Sequence, residues 1–225
     1  MIVLDRVDKH YGSGAEACTV FQGLSLHLPS DRRLAVLGAA GCGKSTFIRL
    51  LAGLEEPSTG SIERHARVSF PVGYGRGLKY HLSARQNLAY AARIYGADVD
   101  EVVGFVEGIV GLGDAFDAPL RGLGGQQLAS VRFAMAYAIP FDTYLFDNFI
   151  AAGTAEFREK CIAMFEARAA ECGIIMAVRD LRTARRFCDA ALVLDNGGGT
   201  LFDTLDEGIR FLAARERRLT LPDAA

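Results

Sequence analysis

Four short apolar runs punctuate the chain: Leu34-Ala35-Val36-Leu37, Tyr144-Leu145-Phe146, Ile174-Ile175-Met176-Ala177-Val178 and Ala191-Leu192-Val193-Leu194. A strand that is apolar on both faces belongs in a sheet covered on both sides. Helical patterns lie between these runs. Phe47 to Gly53 follows the first, Leu128 to Ile139 precedes the second, and Ala155 to Glu171 follows it. Alternation of this kind predicts a parallel sheet with helices packed on it. The start of the chain is different. Ile2 to Val7 and Leu24 to Leu28 alternate apolar and polar residues, as half-solvated antiparallel strands do. The stretch from about Leu82 to Phe116 is rich in Ala, Tyr, Val and Glu and predicts helix. Gly197-Gly198-Gly199 predicts a turn before a short strand, and a last helix ends near Arg218 with a frayed tail beyond. The expected class is α/β, with a mixed core sheet, an antiparallel N-terminal subsheet and a helical insert at about 80–135. All of it is expected to lie in one domain spanning 1–225.

Composition narrows the function classes. Half of the 225 residues are hydrophobic, enough for a sizeable core. The 25 basic and 27 acidic residues nearly cancel, so bulk charge predicts neither nucleic-acid binding nor adsorption to a membrane. Arg32-Arg33 and Arg215, Arg217 and Arg218 read as solvated surface. Asp5 and Arg6 interrupt the first apolar residues too early for a targeting core, and no run approaches the roughly 20 apolar residues that span a bilayer. A soluble chain is expected, reaching a membrane only through a partner. The five cysteines are odd in number and far apart, which predicts reduced thiols packed as small hydrophobes. The four histidines, at 10, 27, 65 and 81, are scattered, and a metal site of His and Cys has little support.

One segment carries specific chemistry. Gly38-Ala39-Ala40-Gly41-Cys42-Gly43-Lys44-Ser45-Thr46 matches G-x-x-x-x-G-K-[ST] between an apolar strand and a helix. Glycines let backbone N–H groups turn inward around phosphates, and a helix N-terminus adds its positive end. Lys44 supplies a point charge to the β- and γ-phosphates of a nucleotide, and the Ser45 hydroxyl is suited to ligate Mg²⁺. Asp147, ending the strand Thr143-Tyr144-Leu145-Phe146, fits as the residue that holds Mg²⁺ through water. ATP with Mg²⁺ is the expected ligand.

With these residues in place, the chain resembles the ATP-binding-cassette (ABC) ATPases along essentially its whole length. Ile2 to Tyr11 looks like the family's first strand, and Tyr11 matches the aromatic that stacks on adenine. Pro57-Ser58-Thr59-Gly60-Ser61-Ile62 resembles the turn and strand after the first helix. Leu82-Ser83-Ala84-Arg85-Gln86-Asn87-Leu88 resembles the start of the helical insert that faces the transporter. Within the family the chain is most similar to the ATPase subunits of capsular polysaccharide exporters. The segments are Ser69-Phe70-Pro71-Val72-Gly73, Ala91-Ala92-Arg93-Ile94-Tyr95-Gly96, Phe157-Arg158-Glu159-Lys160-Cys161 and Arg186-Phe187-Cys188-Asp189. That branch implies two ATPase copies beneath an integral-membrane permease that exports a lipid-linked polysaccharide. It places the ATPase in the cytoplasm, peripheral on the inner face of the bacterial inner membrane.

The departures from the family pattern gather in the hydrolytic residues. Asn148 stands directly after Asp147, where the family carries a glutamate general base. An amide can hold a water but cannot take its proton, and loss of a general base costs roughly 10²–10⁴-fold. The family's switch histidine aligns with Arg179, which could contact a γ-phosphate as a fixed cation or pair with Asp180. The signature loop falls at Leu123-Gly124-Gly125-Gln126-Gln127 and lacks the serine hydroxyl, with Gly124 in its place. Thr154 occupies the position of an aspartate, and no glutamine lies between Gln22 and Gln86 to act as the usual Mg²⁺ ligand.

An intact phosphate loop beside these losses implies retained ATP binding with weak or lost hydrolysis, in a homodimer that closes on ATP. The main reading is the ATP-binding subunit of a polysaccharide exporter. A nucleotide-gated regulator or scaffold is the alternative, and a P-loop kinase is a third. Tyr74, Leu78, Tyr80, Leu82, Leu88 and Tyr90 are candidates for the permease-docking surface, or else for ordinary packing of the insert.

Overall fold

The computed structural model describes residues 1–12, 17–72, 77–148 and 154–220, with the last helix described by its backbone alone beyond 215. Residue contacts divide the chain into two compact units. One comprises 1–69, 142–149 and 169–225; the other comprises 70–141 and 150–168. The helical stretch expected at 80–135 falls inside the second unit, which is wider than that stretch at both ends and has a separate second segment.

The first unit holds both sheets. Strand β1 (Ile2–Tyr11) pairs antiparallel with β2 (Cys18–Leu28) on one side and with β4 (Thr59–Arg64) on the other. On the buried face apolar residues meet, with Ile2 opposite Leu28, and Leu4 opposite both Leu26 and Ile62. This is the alternation read from the sequence, and it buries Ile2, Leu4 and Val7. The register slips between Leu4 and Val7, where Arg6 adopts φ 46°. The slip brings Gly60 so close that a Cβ would stand 2.3 Å from the Arg6 carbonyl oxygen, so only glycine fits there.

The second sheet has the order β5-β6-β3-β7-β8. Strands β3 (Arg33–Leu37), β5 (Thr143–Asp147), β6 (Gly173–Ala177) and β7 (Ala190–Asp195) are parallel, and β8 (Gly198–Phe202) returns antiparallel to β7. The four apolar runs are therefore the four parallel strands, with Val178 just past the end of β6. Gly198 and Gly199 lie inside β8 rather than in the turn. The turn is Asn196-Gly197, at φ 47° and 77°, the Asn-Gly pair that a two-residue hairpin demands.

Helix α1 (Lys44–Leu51) buries Phe47, Ile48, Leu50 and Leu51 in a core with Leu34, Val36, Leu145, Ile175 and Leu192. Helices α6 (Leu181–Phe187) and α7 (Leu205–Thr220) belong to the same unit.

The second unit contains α2 (Ala84–Tyr95), α3 (Val99–Val110), α4 (Gly125–Ala138) and α5 (Ala155–Arg168). Helix α2 begins where Ser83 Oγ accepts from the Gln86 N–H while Gln86 Oε1 accepts from the Ser83 N–H, satisfying two donors at once. Phe133 stacks against Tyr137 with centroids 6.4 Å apart, and Phe165 meets both rings edge-on. Leu78 and Leu88 are core residues, which corrects their candidacy for a docking surface. Tyr80 and Tyr90 are exposed, at 42% and 54%, and Leu82 is half-buried. Tyr74 lies outside the described residues. No helix among the described residues is long and apolar enough to cross a membrane.

Candidate functional site

Parallel strands leave their C-terminal ends open, and β3, β5 and β6 end side by side. That edge carries Gly38, Asp147 with Asn148, and Val178 with Arg179. The loop from Gly38 to Gly43 needs its glycines: Gly38, Gly41 and Gly43 have φ 146°, 81° and 99°. A Cβ at Gly38 would lie 2.5 Å from the Leu194 carbonyl oxygen and 2.6 Å from Cys42 Sγ. The loop opens α1, whose first turn carries no acidic residue, so nothing on the helix neutralises its positive end.

Lys44 folds its ammonium into the loop, where Nζ donates to the Gly38 carbonyl at 2.6 Å and to the Ala39 carbonyl at 2.8 Å. Ser45 Oγ donates to Asp147 Oδ1 at 2.8 Å, across 102 positions of sequence. Asn148 follows with φ 55°, a left-handed conformation that asparagine tolerates well, and its N–H donates to the Ala177 carbonyl at 3.0 Å. Its Nδ2 donates to Asp147 Oδ1 at 3.2 Å, while Asn148's own Oδ1 is buried without a hydrogen-bond partner.

A cavity of about 790 Å³ lies over this edge, walled by the phosphate loop, Lys44, Ser45, Thr46, Asn148 and Arg179, with Leu37, Val178, Leu181 and Leu212 on its apolar side. Leu212, from α7, is a wall residue to which no sequence motif points. Among the described residues that line the cavity are two cations and no carboxylate. Arg179 is exposed and pairs with no carboxylate among the described residues. Asp180 instead caps α6, accepting from the N–H groups of Arg182 and Thr183. The expected alternative of an Arg179–Asp180 pair is therefore not formed.

The residues present fit Mg-ATP. Mg²⁺ takes few protein ligands and several from phosphates and water. Ser45 Oγ lines the cavity with Asp147 Oδ1 2.8 Å from it, and the orphaned Oδ1 of the lining residue Asn148 adds a buried acceptor beside them. When bound, Mg²⁺ would neutralise phosphate charge, with Ser45 and Asp147 as its holders.

Tyr11 stands apart from this cavity. It is 39% exposed, and its hydroxyl sits 3.2 Å from Thr46 Oγ1 and donates to Glu55. Arg49 Nε donates to Glu55 at 2.5 Å, and Lys9 Nζ lies 3.3 Å from Glu55 and 4.9 Å from the Tyr11 ring centroid. Burial pushes the Glu55 carboxyl up, but hydrogen bonds from Tyr11 and Arg49 outweigh it and hold the group below its ordinary value. Thr46 and Arg49 of α1, with Glu55 beyond it and Lys9 of β1, thus hold the aromatic against the helix, and Lys9, Arg49 and Glu55 were not legible as site residues.

The segment Leu123–Gln127 opens α4. Gly124 is its N-cap, and the Gly124 N–H donates to Gln127 Oε1 at 3.0 Å. Gly124, Gly125, Gln126 and Gln127 are exposed. A Cβ at Gly124 would meet only Gln127 Oε1, at 3.6 Å, so the fold does not require glycine there. Thr154 opens α5, its Oγ1 accepting from the Phe157 N–H at 3.3 Å. Ile150, Ala151, Ala152 and Gly153 before it lie outside the described residues. Among the described residues no cluster of three or more His, Cys, Asp or Glu is placed to hold a metal ion.

Comparison with known proteins gives one direction. A family model described as ABC transporter matches residues 21–150. The polysialic acid transport ATP-binding protein KpsT of Escherichia coli is 33% identical over 198 residues, covering 87% of this chain and 88% of that protein. The capsule polysaccharide export ATP-binding protein CtrD of Neisseria meningitidis is 32% identical over 212 residues, covering 94% and 98%. In structure, the chain superposes on the dimeric post-hydrolysis state of the ATP-binding cassette MJ0796 bound to ADP and Pi. The TM-score is 0.71 at 18% identity, covering 89% of this chain and 98% of that one, which shows the shared fold. With its phosphate loop, its strand-end aspartate and these relatives, the chain belongs to the ABC transporter family, on an α/β P-loop cassette fold.

Proposed function

We propose that this chain is the ATP-binding subunit of a capsule-type polysaccharide exporter, binding Mg-ATP at Lys44 and hydrolysing it slowly or not at all. The observation that carries the binding half is the cavity that Lys44 and Ser45 line, with Asp147 hydrogen-bonded to Ser45 behind it. The hydrolysis half rests on Asn148, an amide at the residue after Asp147, which cannot accept a proton from attacking water. Relatives described as polysialic acid transport and capsule polysaccharide export proteins supply the cargo class. The whole of 1–225 acts as one nucleotide-binding domain. It works as a homodimer that closes on ATP, beneath an integral-membrane permease on the inner face of the inner membrane.

In that dimer Leu123 to Gln127 of one copy serves as the signature loop facing the other copy's nucleotide, with no serine hydroxyl to offer. Light scattering tests the assembly: with Mg-ATP the purified chain should double in mass, and Lys44→Ala should stay monomeric. A monomer at saturating Mg-ATP would refute the closing homodimer.

A further inference from the structure

Glu55 gathers three donors from two elements. Its Oε1 accepts from Arg49 Nε at 2.5 Å, and its Oε2 accepts from the Tyr11 hydroxyl, with Lys9 Nζ 3.3 Å away. Arg49 Nη2 also reaches the Tyr11 hydroxyl at 3.3 Å and Thr46 Oγ1 at 3.2 Å. Lys9 Nζ lies over the Tyr11 ring and donates to the Glu56 carbonyl at 2.9 Å. Tyr11 is exposed all the same. An exposed ring gains little from burial, so its packing alone does not account for a network that fixes it at so many points.

Tyr11 does not line the cavity over the phosphate loop, but its hydroxyl sits 3.2 Å from Oγ1 of Thr46, which does. A nucleotide with its phosphates in the loop lays its base within reach of them, and an aromatic face beside the loop offers that base a stacking surface. A freely rotating side chain would have to be ordered when the base arrives, and that ordering opposes binding.

We propose that Glu55, together with Arg49, is a positioning residue for nucleotide binding: it fixes the Tyr11 ring beside the phosphate loop in advance, so that binding need not order it. This rests on the nucleotide reading above. Glu55 does not line the cavity and acts through Tyr11, so its effect is confined to ligands that carry a base. The link needs the hydroxyl as well as the ring, because a phenylalanine could donate nothing to the carboxylate. Removing Glu55 and removing the Tyr11 hydroxyl cut one link from its two ends, so the two losses overlap instead of adding.

The experiment is calorimetric titration of the whole chain, in the presence of Mg²⁺, with a non-hydrolysable ATP analogue or with inorganic tripolyphosphate, which has phosphates and no base. The variants are Tyr11→Ala, Tyr11→Phe, Glu55→Ala, the double Tyr11→Phe/Glu55→Ala, and Lys44→Ala. Tyr11→Ala should weaken the ATP analogue about 5- to 150-fold, the range of base stacking on an aromatic. Glu55→Ala and Tyr11→Phe should each weaken it about 3- to 10-fold, the range for ordering one side chain, and the double variant should lose no more than the larger single loss. Tripolyphosphate affinity should change by less than about twofold in all four, which also shows that they are folded. A merely structural role for Glu55 would disturb α1 and weaken both ligands together. That parallel loss, an unchanged ATP analogue in Glu55→Ala or Tyr11→Ala, or fully additive losses in the double variant would each overturn the proposal. Should Lys44→Ala bind both ligands as wild type does, the nucleotide reading itself falls.

Discussion

Replacing Arg64 by methionine probes how the helix that begins with the phosphate loop is held at its far end. Arg64 closes β4, and its Nε donates to the Leu51 carbonyl at 2.7 Å while Nη2 donates to the Leu50 carbonyl at 2.6 Å. Leu50 and Leu51 end α1, where carbonyls have no partner within the helix and a cation complements the dipole. Each charge-assisted bond contributes about 1.5–3 kcal/mol before opposing terms. Burial opposes it, pushing the guanidinium pKa down, and partial exposure screens the rest. Methionine keeps much of the stem's apolar contact, so the net loss should be about 1–3 kcal/mol. For a chain of this size that lowers Tm by about 3–9 °C. Arg64→Lys keeps the charge but not the two-pronged geometry and should lose about half as much. Thermal unfolding followed by circular dichroism measures both. A Tm within about 1 °C of wild type for Arg64→Met would refute the reasoning, since two short bonds cannot vanish without cost.

Other consequences follow from the same geometry. Gly38→Ala places a Cβ 2.5 Å from the Leu194 carbonyl, so the loop must move. Mg-ATP binding should fall by at least about tenfold while the circular dichroism spectrum is kept, as titration of the variant will show. Glu55 has its carboxyl held below the ordinary value, so its stabilisation is present above the usual glutamate range near about 4.3 and is lost as pH falls through the lowered value. Urea unfolding should therefore show Glu55→Gln less stable by about 1 kcal/mol at neutral pH, with the gap closing in acid. Burial, with Asp189 alongside, pushes the Cys188 thiol up to about 12, whereas Cys18 is exposed. Iodoacetamide at about pH 8 should label Cys18 well before Cys188, with mass spectrometry of peptides as the readout.

The four parallel strands were legible because runs such as Ile174-Ile175-Met176 are apolar on both faces, and only a doubly covered sheet buries such a strand. The phosphate loop was legible because its glycines and lysine each meet a separate steric or electrostatic demand. What the sequence concealed was long-range. Arg64 reads as one more charge at a strand end, and nothing local reveals the α1 carbonyls it meets. Lys9, Arg49 and Glu55 are distant in sequence and converge on Tyr11 only after β1 and α1 are placed.

Arg33 illustrates the same limit. Read as solvated surface, it pairs with Asp189 at 3.0 Å, and Arg215 pairs with Asp195 at 3.0 Å. Leu78 and Leu88 were open to two readings because a leucine in or just before a helical stretch serves a core or a docking face equally. Cys18 corrects the expectation that every thiol is packed, since it sits exposed at the start of β2. The Asn196-Gly197 turn was misplaced by one or two residues because three consecutive glycines leave its position undetermined. The side chain that fixes it is the asparagine before them.

The central claim, Mg-ATP held at Lys44 with hydrolysis weak or lost, is tested most directly by measuring equilibrium binding and steady-state phosphate release on the same preparation, with Lys44→Ala as background. The account predicts Mg-ATP binding that Lys44→Ala abolishes, with phosphate release no more than marginally above that background. Robust phosphate release that Lys44→Ala removes would contradict it, because another residue would then be accepting the proton that Asn148 cannot.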